Sequence, residues 1–222
     1  MSIYKHPLNQ NVLDAATERI TWTLENLPRV CVSFSGGKDS TIMFHLTARQ
    51  ARKMGKKICL LFIDWEAQFT CTIQHVNNMI AQYADVIEKC WWVALPLTTQ
   101  NSLSQFQPEW QCWEPGKNWV RTPPEEAVTD PDYFSFYQSG MTFEAFVREF
   151  SDWFAKRRPA AMMIGIRADE SYNRFLTIAN ARKQRFADDK PWTTVAPGGH
   201  AWYVYPLYDW KTADIWTWFA KT

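Results

Sequence analysis

Residues 33–40 read SFSGGKDS, Ser33 to Ser40, and they join an apolar strand to an apolar helix through two glycines, a lysine and two hydroxyls. Upstream, Arg29–Phe34 reads RVCVSF, a β-branched and aromatic run suited to a buried strand; downstream, STIMFHLTARQARKMG reads as a helix closed by Gly55. Gly36 and Gly37 can take positive φ and let backbone approach a ligand, so successive N–H groups converge with the helix N-terminus into an anion cradle. Lys38 adds a full positive charge, and Ser35 and Ser40 offer hydroxyl donors to the same phosphate or sulfate oxygens.

The elements around this stretch alternate. Asn11 caps a first helix whose apolar positions Val12, Ala16, Ile20, Leu24 and Leu27 recur at helical spacing, ending at Pro28. A second strand, Lys57–Ile63, ends in Asp64, and a helix follows from about Thr70 to Val86; Trp91–Leu95 and Ala160–Ile164 make a third and a fourth strand. Strand, helix, strand, helix predicts an α/β fold with a doubly wound parallel sheet. The 222 residues read as a single domain carrying an aromatic-rich insertion over about 98–140, whose prolines and tryptophans suit an ordered lid or partner-binding segment. After it, Phe143, Phe146, Val147, Phe150, Trp153 and Phe154 form one apolar helix face, expected to be core. A helix from Thr212 to Lys221 without a closing glycine reads as one from which the chain continues.

Composition narrows the function classes. A net charge of +1 argues against direct nucleic-acid binding driven by the overall field. No secretory signal or long apolar span is present, so neither export nor a membrane anchor is expected, and the five scattered cysteines suit a reduced, cytoplasmic protein. Of these, Cys31 and Cys59 are expected in the core, and Cys112, in a predicted loop, is the one to test for reactivity. Thirteen tryptophans exceed what such a core needs. Trp110, Trp113, Trp119, Trp192 and Trp202 either anchor a partner or pack long loops onto the domain.

The glycine spacing excludes a Walker A loop, which needs G-x-x-x-x-G-K-(S/T). It resembles instead the PP-loop, the SGGxDS signature of the adenine nucleotide α-hydrolase-like superfamily. A second constellation, GIRADESYNR from Gly165 to Arg174, flanks Asp169, Glu170 and Ser171 with two arginines suited to phosphate or sulfate. It resembles G-(I/L)-R-x-x-(E/Q)-S-x-x-R, the second anion-binding motif of phosphoadenylyl-sulfate (PAPS) reductases. A third, Tyr205–Trp210 with Thr212, Asp214, Ile215 and Trp216, is similar to the P-(I/L)-x-D-W segment of the same family. Within that family the chain resembles the immunoglobulin-binding regulator (IbrA) group, described as co-activators of prophage genes.

The resemblance implies a sheet of about five parallel strands, with Ser33, Phe34 and Ser35 together with Ile63 and Asp64 framing an adenine nucleoside. It implies that Ser35, Gly36, Gly37, Lys38, Asp39 and Ser40 hold the phosphates, joined by Gly165, Arg167, Glu170 and Arg174. ATP or PAPS is the implied ligand, with Mg²⁺, for which Asp39 is the candidate ligand. Lys38, Arg167 and Arg174 would stabilise developing charge, and His200 is a lone acid/base candidate. The E-C-G-x-H-type segment and iron–sulfur cysteines of the reductases are not in these residues, which turns the expectation from thiol-dependent reduction toward ATP pyrophosphatase or sulfur-transfer chemistry. The alternative is a nucleotide-binding regulator without turnover, acting through a DNA-binding protein partner.

Overall fold

The computed structural model describes residues 9–101, 106–179, 183–187 and 189–222. A six-stranded sheet forms the middle layer, from β1 (Arg29–Ser33), β2 (Ile58–Ile63), β3 (Ile87–Val93), β6 (Ala160–Ile164), β7 (Thr193–Val195) and β8 (Ala201–Val204) in the order β3-β2-β1-β6-β8-β7. Five of these strands are parallel, and β7 closes the edge antiparallel to β8. A separate two-stranded ribbon, β4 (Thr98–Gln100) with β5 (Glu109–Gln111), lies in the 98–140 segment.

Alternation along the strands explains the two cores. Val30, Val32, Leu60, Phe62, Ala161, Met163 and Val204 face α1 (Val12–Asn26), α2 (Lys38–Lys53), α3 (Thr70–Gln82) and α6 (Thr212–Lys221). Cys31, Cys59, Leu61, Val93, Ala160 and Met162 face the opposite way, onto α4 (Phe143–Ala155) and the buried side chains Cys112, Trp113 and Phe134 of the 98–140 segment. Helices thus cover both faces, the doubly wound arrangement. The α4 stripe is core as expected: Phe146, Phe150 and Phe154 are buried.

Two boundaries move, and a strand appears where a loop was expected. The third helix stops at Gln82 and the third strand starts at Ile87, because the polar Glu88 and Lys89 belong to an edge strand that charge protects from further pairing. The stretch around PGGHAW contains β8, whose Trp202 and Tyr203 are half-buried. No helix among the described residues is long and apolar enough to cross a membrane.

Strand order decides where a ligand crevice opens. From β1 the chain winds outward through β2 and β3, then returns to the other side of β1 as β6. The switch point therefore lies between the carboxyl ends of β1 and β6, the place where open α/β sheets bind ligands.

Candidate functional site

The SGGKDS turn occupies that switch point. Gly36 has φ +75°, and a Cβ there would stand 3.0 Å from methyls of both Thr72 and Val76, so α3 leaves room for glycine alone. Gly37 is the N-cap of α2 and makes no side-chain cap hydrogen bond. The first intrahelical bond runs from Thr41 N to the Gly37 carbonyl at 2.9 Å, which leaves the amides of Lys38, Asp39 and Ser40 without an intrahelical acceptor. Hydroxyls brace the loop from inside. Ser35 Oγ and Ser40 Oγ lie 2.9 Å apart, and Ser40 Oγ donates to the Gly37 carbonyl at 3.0 Å.

The second motif is brought to the first at contact distance. Gly165, at the exit of β6, packs against the first turn of α2: a Cβ there would lie 3.2 Å from Ser40 Cα and N. Arg167 is 2% exposed and donates from Nε to Asp39 Oδ1 at 2.9 Å and from a terminal nitrogen to the Trp210 carbonyl at 3.3 Å. Asp39 Oδ2 accepts from Lys38 Nζ at 2.9 Å. Glu170 pairs with the exposed Arg174. The cations therefore differ in kind: Arg167 is enclosed and spent on Asp39, whereas Lys38 and Arg174 have side chains 36% and 48% exposed.

The third motif is a clamp, and its partner is one that sequence reading missed. Arg19 on α1, itself buried, forms a two-pronged pair with Asp209 at 2.7 and 2.6 Å and donates to the Pro206 carbonyl at 2.9 Å. Trp210 Nε1 reaches the Val12 carbonyl at 3.0 Å, and Ala168 N donates to the Tyr208 carbonyl at 2.9 Å. One line of polar contacts therefore runs from α1 through 206–210 to Arg167 and on to Asp39 beside Lys38. The only sequence signal for Arg19 was a charge among the buried positions of an amphipathic helix.

Asp64 does not join the cradle. It is fully buried: Oδ1 accepts from Glu66 N at 2.9 Å and from Arg121, and Oδ2 accepts from Trp92 Nε1 at 2.7 Å. Glu66, with φ 60°, accepts from Trp113 N at 2.6 Å and Val120 N at 2.9 Å. The acidic pair after β2 thus fastens the 98–140 segment over the end of that strand. Ser33 and Ile63 are strand termini, and the Phe34 ring is core, packed on Phe44 at 5.0 Å. With Asp39 and Asp64 both paired, the cradle offers no unpaired carboxylate to a metal, and no group of three or more His, Cys, Asp or Glu among the described residues could hold one. The described residues by themselves do not build a magnesium site.

Two reactivity expectations are corrected. Cys112 is fully enclosed, with Sγ 3.5 Å from the carbonyls of both Leu95 and Leu97, and burial pushes its thiol up to about 11. The exposed thiol is Cys71, next to the Thr72 that packs on Gly36. His200 precedes β8 and stands beside the start of β6, its carbonyl accepting from Ala160 N, so it lies at the sheet edge opposite the cradle. Among the tryptophans, Trp113 and Trp192 are buried, Trp110 and Trp202 are half-buried, and Trp119 is 41% exposed, so loop packing accounts for most of them.

The sequence profile of the phosphoadenosine phosphosulfate reductase domain matches residues 29–222. The chain belongs to that family. An uncharacterized Escherichia coli (strain K12) protein, YbdN, is 74% identical over 221 residues, which is 100% of this chain and 54% of the relative. The chain thus spans about half the length of the curated relative it matches. Solved structures align only distantly: Candida glabrata FMN adenylyltransferase in complex with ATP at TM-score 0.49 and 15% identity, covering 94% of this chain and 53% of that one. The U34-tRNA thiolase NcsA of Methanococcus maripaludis, with its [4Fe-4S] cluster, aligns at TM-score 0.45 and 12% identity, over 93% of this chain and 61% of the thiolase. The three motifs all fall within the residues matched by that profile.

Proposed function

We propose that this reductase-family domain binds an adenine nucleotide, ATP or PAPS, with its phosphates or phosphosulfate on Ser35–Ser40. The observation that carries the reading is the uncapped N-terminus of α2, preceded by Gly36 at positive φ and set at the switch point of the sheet. Lys38 and Arg174 are the cations with exposure enough to reach the ligand's oxygens. Arg167 is a positioning residue, which holds Asp39 and ties the first motif to the third. The nucleoside lies along the backbone at the ends of β1 and β2, since the side chains of Phe34 and Asp64 are already engaged.

The chemistry best suited to this arrangement is cleavage of a phosphoanhydride or transfer of the sulfuryl group from a sulfonucleotide, with amides and Lys38 taking up charge on the pyrophosphate that leaves in the first case or on the nucleoside 5′-phosphate that leaves in the second. A second reading, a nucleotide-binding regulator of the immunoglobulin-binding regulator type that works through a DNA-binding protein, draws support from one feature. Asp39 and Asp64 are both paired, so no carboxylate at the cradle is poised as a general base.

Incubation with Mg²⁺ and ATP or PAPS, measuring binding together with release of pyrophosphate, AMP and sulfite, separates these outcomes. Binding with pyrophosphate or AMP release marks the enzyme, binding alone the regulator, and sulfite release a reductase. Wild-type affinity in the Gly37→Val, Lys38→Ala double variant would sink the cradle itself.

A further inference from the structure

The 98–140 segment presents an open depression of about 500 Å³ lined by Gly116, Lys117, Asn118, Trp119, Arg121 and Thr122. Two of these residues are cations, Asn118 and Thr122 are neutral hydrogen-bonding groups, and none is a carboxylate. Lys117 is exposed and has no carboxylate within ion-pair distance among the described residues. Arg121 gives one terminal nitrogen to Asp64 and its Nε is buried without a partner, while the side chain stays 23% exposed, so the other end of the guanidinium fork is what can face a ligand.

The depression is held in shape. Glu66 binds the amides of Trp113 and Val120, the Arg121 guanidinium lies 5.3 Å from the Trp113 ring, and Trp119 stands edge-on to that ring at 5.4 Å. Trp119 Nε1 is fixed to the Glu114 carbonyl at 3.0 Å, which leaves the rest of this half-exposed indole as a wall. We propose that this depression binds a small molecule carrying an oxyanion, phosphate or carboxylate, with the anion between Lys117 and Arg121 and an apolar or planar body against Trp119. Its position gives the ligand a role. Arg121 pairs with Asp64 at the end of β2, and β2 runs beside β1 with Leu61 opposite Ser33, so the depression opens at the cradle's edge of the sheet, one strand over. A molecule bound there is a second ligand beside a nucleotide on Ser35–Ser40. The site uses none of the cradle's groups, so it stands whether or not the nucleotide reading holds.

The test is a titration of the ¹⁵N-labelled chain with inorganic phosphate and, separately, with malonate, following the Trp119 indole N–H, the Asn118 amide and, as the cradle's own reporter, the Gly37 amide. Saturable shifts at Trp119 and Asn118 are expected with at least one probe, and which probe saturates identifies the anion as phosphate or carboxylate. Lys117→Ala, an exposed change, should weaken that binding about tenfold or more while Gly37 responds as before, and Lys38→Ala should do the reverse. Shifts that grow linearly without saturation, that are confined to the cradle, or that persist at wild-type affinity in Lys117→Ala would overturn the proposal.

Discussion

Two loops leave neighbouring strands at the same edge of the sheet and end in opposite electrostatic states. After β1, Ser35–Ser40 holds a surplus of donors: three helix amides without intrahelical acceptors and a half-exposed ammonium. After β2, Asp64–Glu66 is saturated, with every carboxylate oxygen accepting from a buried or half-buried group. Both loops follow a buried strand and precede a helix, so local structure does not separate them. What separates them is the 98–140 segment, which lands on one and leaves the other open.

The largest effect should come from emptying the saturated loop. Asp64→Ala leaves Trp92 Nε1, Arg121 and the Glu66 amide without their acceptor, and a loss of about 3–5 kcal/mol in urea unfolding is expected. Unchanged stability would break the contrast at once. Next, Gly36→Val forces a branched side chain to φ +75° and into two methyls 3.0 Å away. It should cost about 1–3 kcal/mol and abolish nucleotide binding, which isothermal titration would read directly.

Lys38→Ala sharpens the other half of the contrast. Its ammonium is partly exposed, so stability should stay within about 0.5 kcal/mol while nucleotide affinity falls roughly tenfold. Thiol chemistry probes the same division more gently. A thiol-reactive disulfide should label Cys71 quickly and Cys112, with its thiol raised to about 11, only on unfolding.

The smallest effect is a pH dependence behind the cradle. His45 on α2 is hydrogen-bonded to Tyr83 and packed 5.0 Å from Trp218, and burial, followed by Arg49, holds its imidazole below the ordinary 6.5. A histidine lowered in the folded state contributes stability above its unfolded value, and that contribution is lost as pH falls from 6.5 through the lowered folded value. Tm should decline over that window, and His45→Gln should flatten the slope.

Much of this was legible along the chain, and the limits have physical causes. The cradle was readable because its glycines, lysine, hydroxyls and flanking elements are contiguous, and conformational demands at positive φ act over a few residues. The second motif was placed at the right edge, but its principal arginine was expected to meet ligand and is instead buried on Asp39, a pairing across 128 positions. Cys112 does lie in a turn, as expected, but its thiol is enclosed against the carbonyls of Leu95 and Leu97, which are 17 and 15 positions away in the chain. The ribbon β4–β5 and strands β7 and β8 are three or four residues long, too short for a period to show.

The sequence by itself determined the alternation of strand and helix, the two-faced pattern of the strands and a glycine-rich turn between β1 and α2, because each follows from spacing over a turn or two of chain. Only the tertiary structure decided which charges remain available. Arg19 and Asp209, Arg167 and Asp39, and Arg121 and Asp64 meet across 190, 128 and 57 positions, and a buried charge is set by the partner that reaches it rather than by its neighbours in sequence.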